Sequence, residues 1–346
     1  MKTALLTGAA AIALVAFGST GAFAQSRDTI QIAGSSTVLP FASIVAEEFS
    51  AAFPEFNTPV VGSGGSSGGL RQFCEGVGEN TIDIADASRR IRASEIEACN
   101  SAGVNDIREI QIGFDGIVFA TSAEAGDFAL EPVHVFKALA AEVPVDGEMT
   151  ANPYTTWNEI DPSLPEQPIA LAIPASNHGT REVFQERVVT PGCEEAGLPE
   201  MSEEEMEAAC TSFRQDVVVE ISGDYTETLA RLQSNPDTMG VFGLSFYDQN
   251  RDTLKVATVS GVEPSLETVA SGEYPVSRPL YFYVKGEHIG VVPGIEEYVA
   301  FFLSDAIAGA GGILEGAGMI PQPAEVTADV LASFEAGESL TAADVE

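Results

Sequence analysis

Three short stretches rich in glycine, serine and threonine are the part of this sequence best suited to binding a ligand. They are Gly34-Ser35-Ser36-Thr37, Gly65-Ser66-Ser67-Gly68 and His178-Gly179-Thr180. Each stretch follows a predicted strand and precedes a predicted helix. The first turn of a helix has free N–H groups and a partial positive charge, and small residues let an anion approach them. Three such helix starts facing one cleft would bind a desolvated anion through aimed hydrogen bonds.

Two other interpretations of these stretches stay open. Taken singly, each stretch could simply cap its own helix, because Ser, Thr and Gly are common capping residues. Gly64-Gly65-Ser66-Ser67-Gly68 also matches G-x-S-x-G, the elbow of serine hydrolases, with Ser66 as nucleophile. Only His288 could follow as the base, however, and it lies in a predicted loop. The run also lacks the Gly-Lys-Ser/Thr ending of a nucleotide-binding phosphate loop.

The charge balance limits the partners of this chain. It has 52 acidic and 16 basic residues, which gives a formal net charge of -36. Such a surface repels nucleic acid and anionic lipid and keeps the protein soluble. We therefore expect no nucleic-acid partner. An anion would have to be bound by local hydrogen bonds, since the global field opposes its approach.

The N-terminus has the features of a secretory signal peptide. Lys2 precedes an apolar run over residues 4–17, and Ala22-Phe23-Ala24 is a small-residue cleavage signal. This pattern predicts a signal peptide over residues 1–24, cleavage after Ala24 and a periplasmic location. No later segment is long and apolar enough to span a bilayer.

Four cysteines in an exported chain favour disulfide bonds. Three pairings are possible, and we favour the local ones, Cys74–Cys99 and Cys193–Cys210. Each would stabilise the fold by roughly 3 kcal/mol in the chain-entropy model. The cysteine spacings match no zinc pattern and the three histidines are scattered, so we predict neither a metal site nor a cofactor.

Strand and helix patterns alternate along the chain, which predicts an α/β fold with largely parallel sheets. Ligands of such sheets bind in the loops at the carboxyl ends of the strands. Ser36-Thr37 is predicted as the N-cap of the first helix and Ser94 as the N-cap of the third. The predicted strands are 29–34, 58–61, 81–85, 116–120, 169–174, 239–243 and 280–284, and the predicted helices are 39–53, one from residue 70, 94–98, 133–141, 157–160, 181–189, 194–209, 229–234, 295–303 and 328–335.

About 320 residues remain after the signal peptide, a length that suggests two domains. The strong strand patterns at 116–120 and 280–284 flank a distinct middle block. We therefore expect one lobe built from residues 25–117 and 280–346 and a second lobe from residues 118–279. The two segments that link the lobes would form a hinge.

The sequence resembles the periplasmic phosphate-binding proteins of the ABC-type phosphate importer, the PstS family, over essentially the whole mature chain. The resemblance implies a two-lobe Venus-flytrap fold with a dehydrated oxyanion between the lobes. It further implies a monomeric binding protein, without enzymatic activity, that passes inorganic phosphate to a membrane permease. The stretches that carry the resemblance are Ala33–Pro40, Gly65–Gly69, Asp83–Arg89, His178–Arg181, Tyr274–Tyr281 and Gly318–Pro321.

The resemblance also implies which groups bind the anion. Thr37 would offer its hydroxyl and Val38 its backbone N–H, both from the first helix start. Ser66 would offer its hydroxyl and N–H at the second helix start. Gly179 and Thr180 would do the same from the other lobe.

Three positions depart from the best-known enterobacterial pattern. In that pattern a small-Ser-Asp run supplies the carboxylate that accepts the proton of phosphate. The matching position here is Ser88, which we predict as a ligand-binding residue. An arginine precedes the Ser-Gly-Thr loop in that pattern, whereas Pro174 stands at about that place here. The serine of that loop is replaced by His178. These departures leave another tetrahedral oxyanion, such as sulfate, as an alternative ligand.

Other residues could supply the missing groups. Arg89 or Arg181 could provide a guanidinium that binds two anion oxygens. Asp115 could accept a proton from phosphate and would repel sulfate, which has none to give, while Asp86 is a weaker candidate for that part. His178 could donate when protonated, so that affinity would fall as the pH rises, or it could stack on its loop.

Overall fold

The computed structural model describes residues 27–145, 147–176, 179–222 and 225–345. The predicted signal peptide, residues 1–24, lies outside the described residues, as does His178. Within the described part of the chain, every helix is too short or too polar to cross a membrane.

Helices and strands alternate from the start of the described chain, as the sequence pattern predicts. The strands are β1 Gln31–Gly34, β2 Val60–Ser63, β3 Ile84–Ala87, β4 Ile107–Ser122, β5 Ala129–Leu130, β6 Glu142–Val145, β7 Glu148–Ala151, β8 Leu171–Pro174, β9 Val218–Ile221, β10 Met239–Gly243, β11 Leu254–Val256, β12 Thr258–Val259 and β13 Ser277–Lys285. The helices are α1 Leu39–Ala52, α2 Ser66–Phe73, α3 Ala93–Ser101, α4 Pro132–Leu139, α5 Trp157–Ile160, α6 Gly179–Phe184, α7 Thr190–Glu195, α8 Glu203–Thr211, α9 Tyr225–Ser234, α10 Leu244–Gln249, α11 Leu266–Ala270, α12 Ile295–Phe302, α13 Ile313–Gly316 and α14 Ala324–Ala336. A π-helical turn, Gln185–Val189, joins α6 to α7.

The main sheet runs through the whole molecule in the order β2-β1-β3-β13-β4-β10-β8-β9. In its first part β1 lies parallel to β2 and β3, and β13 is antiparallel to β3 and β4. In its second part β8 lies parallel to β9 and β10, and β10 is antiparallel to β4. The carboxyl ends of the parallel strands carry the loops that lead into α1, α2 and α6.

Strand β4 belongs to both parts of the sheet. Its first residues, up to Gly116, pair with β13, and its later residues pair with β10 and β11. The sequence pattern predicts a strand over 116–120, and the observed strand is longer because it already begins at Ile107. The strand continues through Gly113, which adopts a φ of 151° and at which a Cβ would lie 2.6 Å from the carbonyl oxygen of Ile320.

The hydrophobic core is divided in a way that gives two lobes. Two clusters cover opposite faces of the first part of the sheet, as strand alternation requires. One contains Ile84 and Phe282, and the other contains Ala85 and Tyr283. A third cluster, centred on residues such as Trp157, fills the second part. The fold is the two-lobe α/β architecture that the sequence predicts.

Both disulfides are local. Cys74 at the end of α2 is bonded to Cys99 in α3, and Cys193 in α7 is bonded to Cys210 in α8. These are the two pairs favoured from the sequence.

Helices α2 and α3 are among the helices that begin at other residues than the sequence pattern predicts. Helix α2 begins at Ser66 rather than at residue 70, so the glycine–serine run is part of the helix. A Cβ on Gly69 would lie 2.4 Å from the Cα of Gly34, so the missing side chains let α2 start directly against β1. In α3 the N-cap residue is Arg92, not Ser94.

Candidate functional site

The loop after β1 is held by a serine side chain that the sequence analysis did not single out. The backbone N–H of Ser35 donates to the carbonyl of Asp86 (2.9 Å), and its hydroxyl oxygen accepts from the N–H groups of Thr37 (3.2 Å) and Val38 (3.4 Å). The predicted N-cap Ser36-Thr37 is therefore wrong, because Ser35 makes these bonds. The hydroxyl of Thr37 is therefore not used to cap α1 and can form hydrogen bonds with other side chains.

Ser66 at the start of α2 and Ser88 at the end of β3 lie together. The Ser66 hydroxyl oxygen accepts from the backbone N–H of Ser88 (3.0 Å), and the two hydroxyl oxygens are 3.1 Å apart. Both side chains are buried. Each hydroxyl has one hydrogen and only one is used between them, so the pair retains one hydrogen that it can donate to a ligand.

Arg278 is the central charged group of the site. It lies on β13 directly opposite Asp115 of β4, and it is 2% exposed. Its Nη2 donates to the hydroxyl oxygen of Thr37 (2.8 Å) and its Nη1 donates to a carboxylate oxygen of Glu186 (2.8 Å). Its Nε is buried and has no hydrogen-bond partner among the described residues.

The carboxyl group of Asp115 shares this environment. Its Oδ2 lies 3.6 Å from Nε of Arg278, is buried and likewise lacks a hydrogen-bond partner within the described part of the chain. Burial raises the pKa of Asp115 to about 6, although the Arg278 guanidinium lowers it; the nearby carboxylates of Glu182 and Glu186 raise it further. Near neutral pH such a carboxyl group can accept a hydrogen bond from an O–H group of a ligand.

The second lobe contributes helix α6, which starts at Gly179. The hydroxyl of Thr180 is buried and hydrogen-bonded to the phenol of Tyr225. Glu182, one turn further along the same helix, reaches the first lobe. Its Oε2 accepts from the hydroxyls of Thr37 (2.8 Å) and Ser36 (3.1 Å). Both lobes therefore contribute polar groups to one cluster.

Comparisons with known proteins show to which family this chain belongs. A family model described as "PBP superfamily domain" matches residues 20–306. Protein SphX of Synechocystis sp. is 32% identical over 91% of this chain and 84% of its own length. Phosphate-binding protein PstS of Staphylococcus haemolyticus is 27% identical over 86% of this chain and 82% of its own length. The chain belongs to the SphX and PstS family of the PBP superfamily.

A solved structure of the same fold supports this assignment. The structure of a possible phosphate binding protein from Planctomyces limnophilus superposes with a TM-score of 0.69. It is 26% identical and covers 90% of this chain and 99% of its own. The similarity thus extends over both lobes.

Arg89 and Arg181, the two arginines predicted to replace the missing arginine of the PstS pattern, have other partners. Arg89 donates to both carboxylate oxygens of Glu95 (2.9 and 2.7 Å) and to the hydroxyl of Ser67 (2.9 Å). Arg181 donates to the carbonyl of Pro174 (2.7 Å) and lies over the ring of Phe213. None of these contacts includes Thr37, Ser66 or Asp115.

Asp86 lies in the PstS-like stretch Asp83–Arg89, but its side chain is in the core. It alternates with Ala85 and Ala87 along β3, so its side chain faces the same side of the sheet as Ile84. Burial raises its pKa to about 8. The side chain of Asp86 therefore lies in the interior of the first lobe and not beside Arg278.

Sequence reasoning missed Arg278 as a site residue, although it lies in the PstS-like stretch Tyr274–Tyr281. A signal was present: the arginine stands two residues before the predicted apolar strand 280–284, next to a segment expected to be buried, where an unpaired charge would be costly. The pattern did not reveal that Asp115, far away in sequence, is its neighbour across the strands.

Proposed function

We propose that this protein binds inorganic phosphate between its two lobes and delivers it to the membrane permease of an ABC importer. The pair formed by Arg278 and Asp115 is the strongest support. A buried donor and a buried acceptor face each other at 3.6 Å, too far for a hydrogen bond to one another. A buried polar atom without a partner is costly, so such a pair fits a ligand that satisfies both.

Monoprotonated phosphate satisfies both atoms. Its oxygens can accept from the Arg278 guanidinium and from the hydroxyl of Thr37, and its own O–H can donate to Asp115. We propose that the Ser66–Ser88 pair and the N–H groups of Val38, Gly179 and Thr180 complete the coordination from both lobes. Arg89 and Arg181 stay weaker candidates, since their hydrogen bonds go elsewhere. His178 lies outside the described residues and stays a candidate on the sequence alone.

The same geometry supports a division into two lobes. We propose residues 25–117 and 280–346 as the first lobe and residues 118–279 as the second. The strands β4 and β13 cross between them, and the pairing of Phe114–Gly116 with Ser277–Pro279 holds the two crossings side by side. Bending at this pair would open and close the cleft, and the closed form would be recognised by the permease.

A binding role is favoured over hydrolysis. The PstS relative is a phosphate-binding protein by name, and the hydroxyl of Ser66 is hydrogen-bonded to Ser88. His288, the base of the alternative, is hydrogen-bonded instead to Asp83 (2.6 Å) and to the N–H of Gly78 (3.2 Å). We propose that the protein is not an enzyme. Turnover of a chromogenic phosphate ester that is lost in Ser66→Ala would contradict this.

Export as a monomer completes the proposal. The signal pattern over residues 1–24 and the strong acidity fit a protein that diffuses in the periplasm before it meets the permease. Size-exclusion chromatography with light scattering would detect a stable dimer, which would contradict the monomeric state.

Calorimetric titration with phosphate and then with sulfate, at low salt, tests the binding function. The protein is first unfolded, dialysed and refolded, so that any anion carried over from expression is removed. We expect one-to-one binding of phosphate and no heat from sulfate. Equal binding of both anions would make the protein a broader oxyanion receptor, and no binding of either would overturn the proposal.

A further inference from the structure

The cluster around Arg278 holds more negative than positive charge. Carboxylate oxygens of Glu186, Glu182 and Asp115 lie 2.8, 3.5 and 3.6 Å from its guanidinium nitrogens. Arg278 is the only cation paired with these carboxylates among the described residues. A bound dianion would therefore meet strong repulsion if all three carboxylates stayed in place.

The carboxylate of Glu182 occupies a position that suits an anionic ligand. Its Oε2 accepts hydrogen bonds from two hydroxyls of the first lobe and lies close to the guanidinium. Two hydroxyl donors and a cation are the kind of partners that an oxygen of an oxyanion takes. The carboxylate comes from the second lobe and its side chain is 33% exposed, so it has room to turn away.

The hydroxyl of Thr37 cannot serve two anions. Its oxygen accepts from Nη2 of Arg278 at 2.8 Å, and its single hydrogen is donated to Glu182 at 2.8 Å. A hydroxyl has one hydrogen to donate. Phosphate can therefore take this hydrogen bond only when Glu182 has released it.

We propose that Glu182 is a built-in competitor of the ligand: its carboxylate and phosphate bind in alternation to Thr37 and Arg278. This inference rests on the proposed phosphate function. Before phosphate binds, the carboxylate links the second lobe to the first. Phosphate replaces this link with its own, so the measured affinity is the difference between the two interactions. Glu182 thereby determines the affinity without contacting bound phosphate.

Calorimetry on Glu182→Gln and Glu182→Ala tests the proposal. Neither side chain carries the charge that competes for Thr37, so we expect both variants to bind phosphate about tenfold more tightly than the wild-type protein. The matched control is Glu194→Gln, which removes one charge from an exposed position of the same lobe. We expect its affinity to equal that of the wild type.

A double-mutant cycle separates competition for Thr37 from a general charge effect. In the Thr37→Val background the shared hydrogen is absent, so Glu182→Gln should give little further gain. A gain of the same size in both backgrounds would overturn the competition for Thr37. Unchanged or weaker phosphate binding in Glu182→Gln would overturn the proposal, because it would place Glu182 outside the competition or make it a direct partner of phosphate.

Small-angle X-ray scattering on the phosphate-free proteins gives a second readout. Loss of the carboxylate link between the lobes should increase the radius of gyration of Glu182→Ala relative to the wild type and Glu194→Gln. An identical radius of gyration would contradict the link. Failure of the underlying function would appear separately, as wild-type protein that binds no phosphate in the same titrations.

Discussion

Arg278 and Asp115 face each other on the neighbouring strands β13 and β4, with Nε and Oδ2 buried and 3.6 Å apart. The pairing places a guanidinium group and a carboxyl group next to the proposed phosphate position. Each is held by backbone hydrogen bonds of its own strand, so the geometry does not depend on a flexible loop.

Replacing Arg278 with lysine should weaken phosphate binding by about 100-fold, because the charge remains while the fork of N–H donors is lost. Titration calorimetry measures the effect. The matched control is Arg181→Lys, whose guanidinium donates to the Pro174 carbonyl instead. If Arg181→Lys lost binding while Arg278→Lys kept it, the assignment of the guanidinium would be wrong.

Asp115 should make anion selectivity depend on pH. Burial raises its pKa to about 6, so the group is ionised at pH 8 and largely protonated at pH 5. The ionised form repels sulfate, and the protonated form does not. We expect sulfate to bind the wild-type protein only at the lower pH and to bind Asp115→Asn at both. Sulfate titrations at pH 5 and pH 8 check this, and a wild-type protein that binds sulfate more tightly at pH 8 would contradict it.

Asp86 should make the fold less stable at alkaline pH. Burial raises its pKa from 3.8 to about 8, so the folded protein keeps a proton that the unfolded chain releases. Between these pH values the contribution of this group to the free energy of unfolding falls by about 1.4 kcal/mol for each pH unit, and above about pH 8 it stays constant.

Urea unfolding of the wild-type protein and Asp86→Asn measures this contribution. The asparagine cannot ionise, so the variant should gain stability relative to the wild type as the pH rises from 5 to 8. All other groups titrate in both proteins and cancel in the difference. Parallel stability curves over this range would show that Asp86 is not protonated in the folded protein.

The disulfide between α7 and α8 should stabilise the second lobe. It closes a loop with a sequence separation of 17, and removing it should cost about 3 kcal/mol. Urea unfolding of Cys193→Ala/Cys210→Ala against the wild-type protein gives the difference. A decrease in the free energy of unfolding well below 1 kcal/mol would mean that removing this disulfide gives the unfolded chain little additional conformational freedom.

Much of the architecture could be predicted because it depends on local patterns. The strand–helix alternation, the position of the helix starts after β1 and β8, and the local disulfides all follow from residues close in sequence. Ser66 and Ser88 were both predicted as site residues, and the structure brings them into hydrogen-bond contact.

The parts that were missed depend on contacts between distant segments. Arg278 pairs with Asp115 from 163 residues away, and no local periodicity reports such a pairing. Helix α2 includes the glycine run because Gly69 packs against Gly34. The low helix propensity of glycine alone would predict that the helix starts after this run. Ser35, rather than Ser36-Thr37, holds the N–H groups at the start of α1, since the backbone of that loop is fixed by Asp86.

The position of bound phosphate in a crystal structure tests the central claim most directly. The account predicts phosphate within hydrogen-bond distance of the Arg278 guanidinium, the Thr37 hydroxyl and the Asp115 carboxyl group, with Glu182 turned away from Thr37. Phosphate bound instead at Arg89 or Arg181, with Arg278 still paired to Glu186 and Thr37, would contradict it.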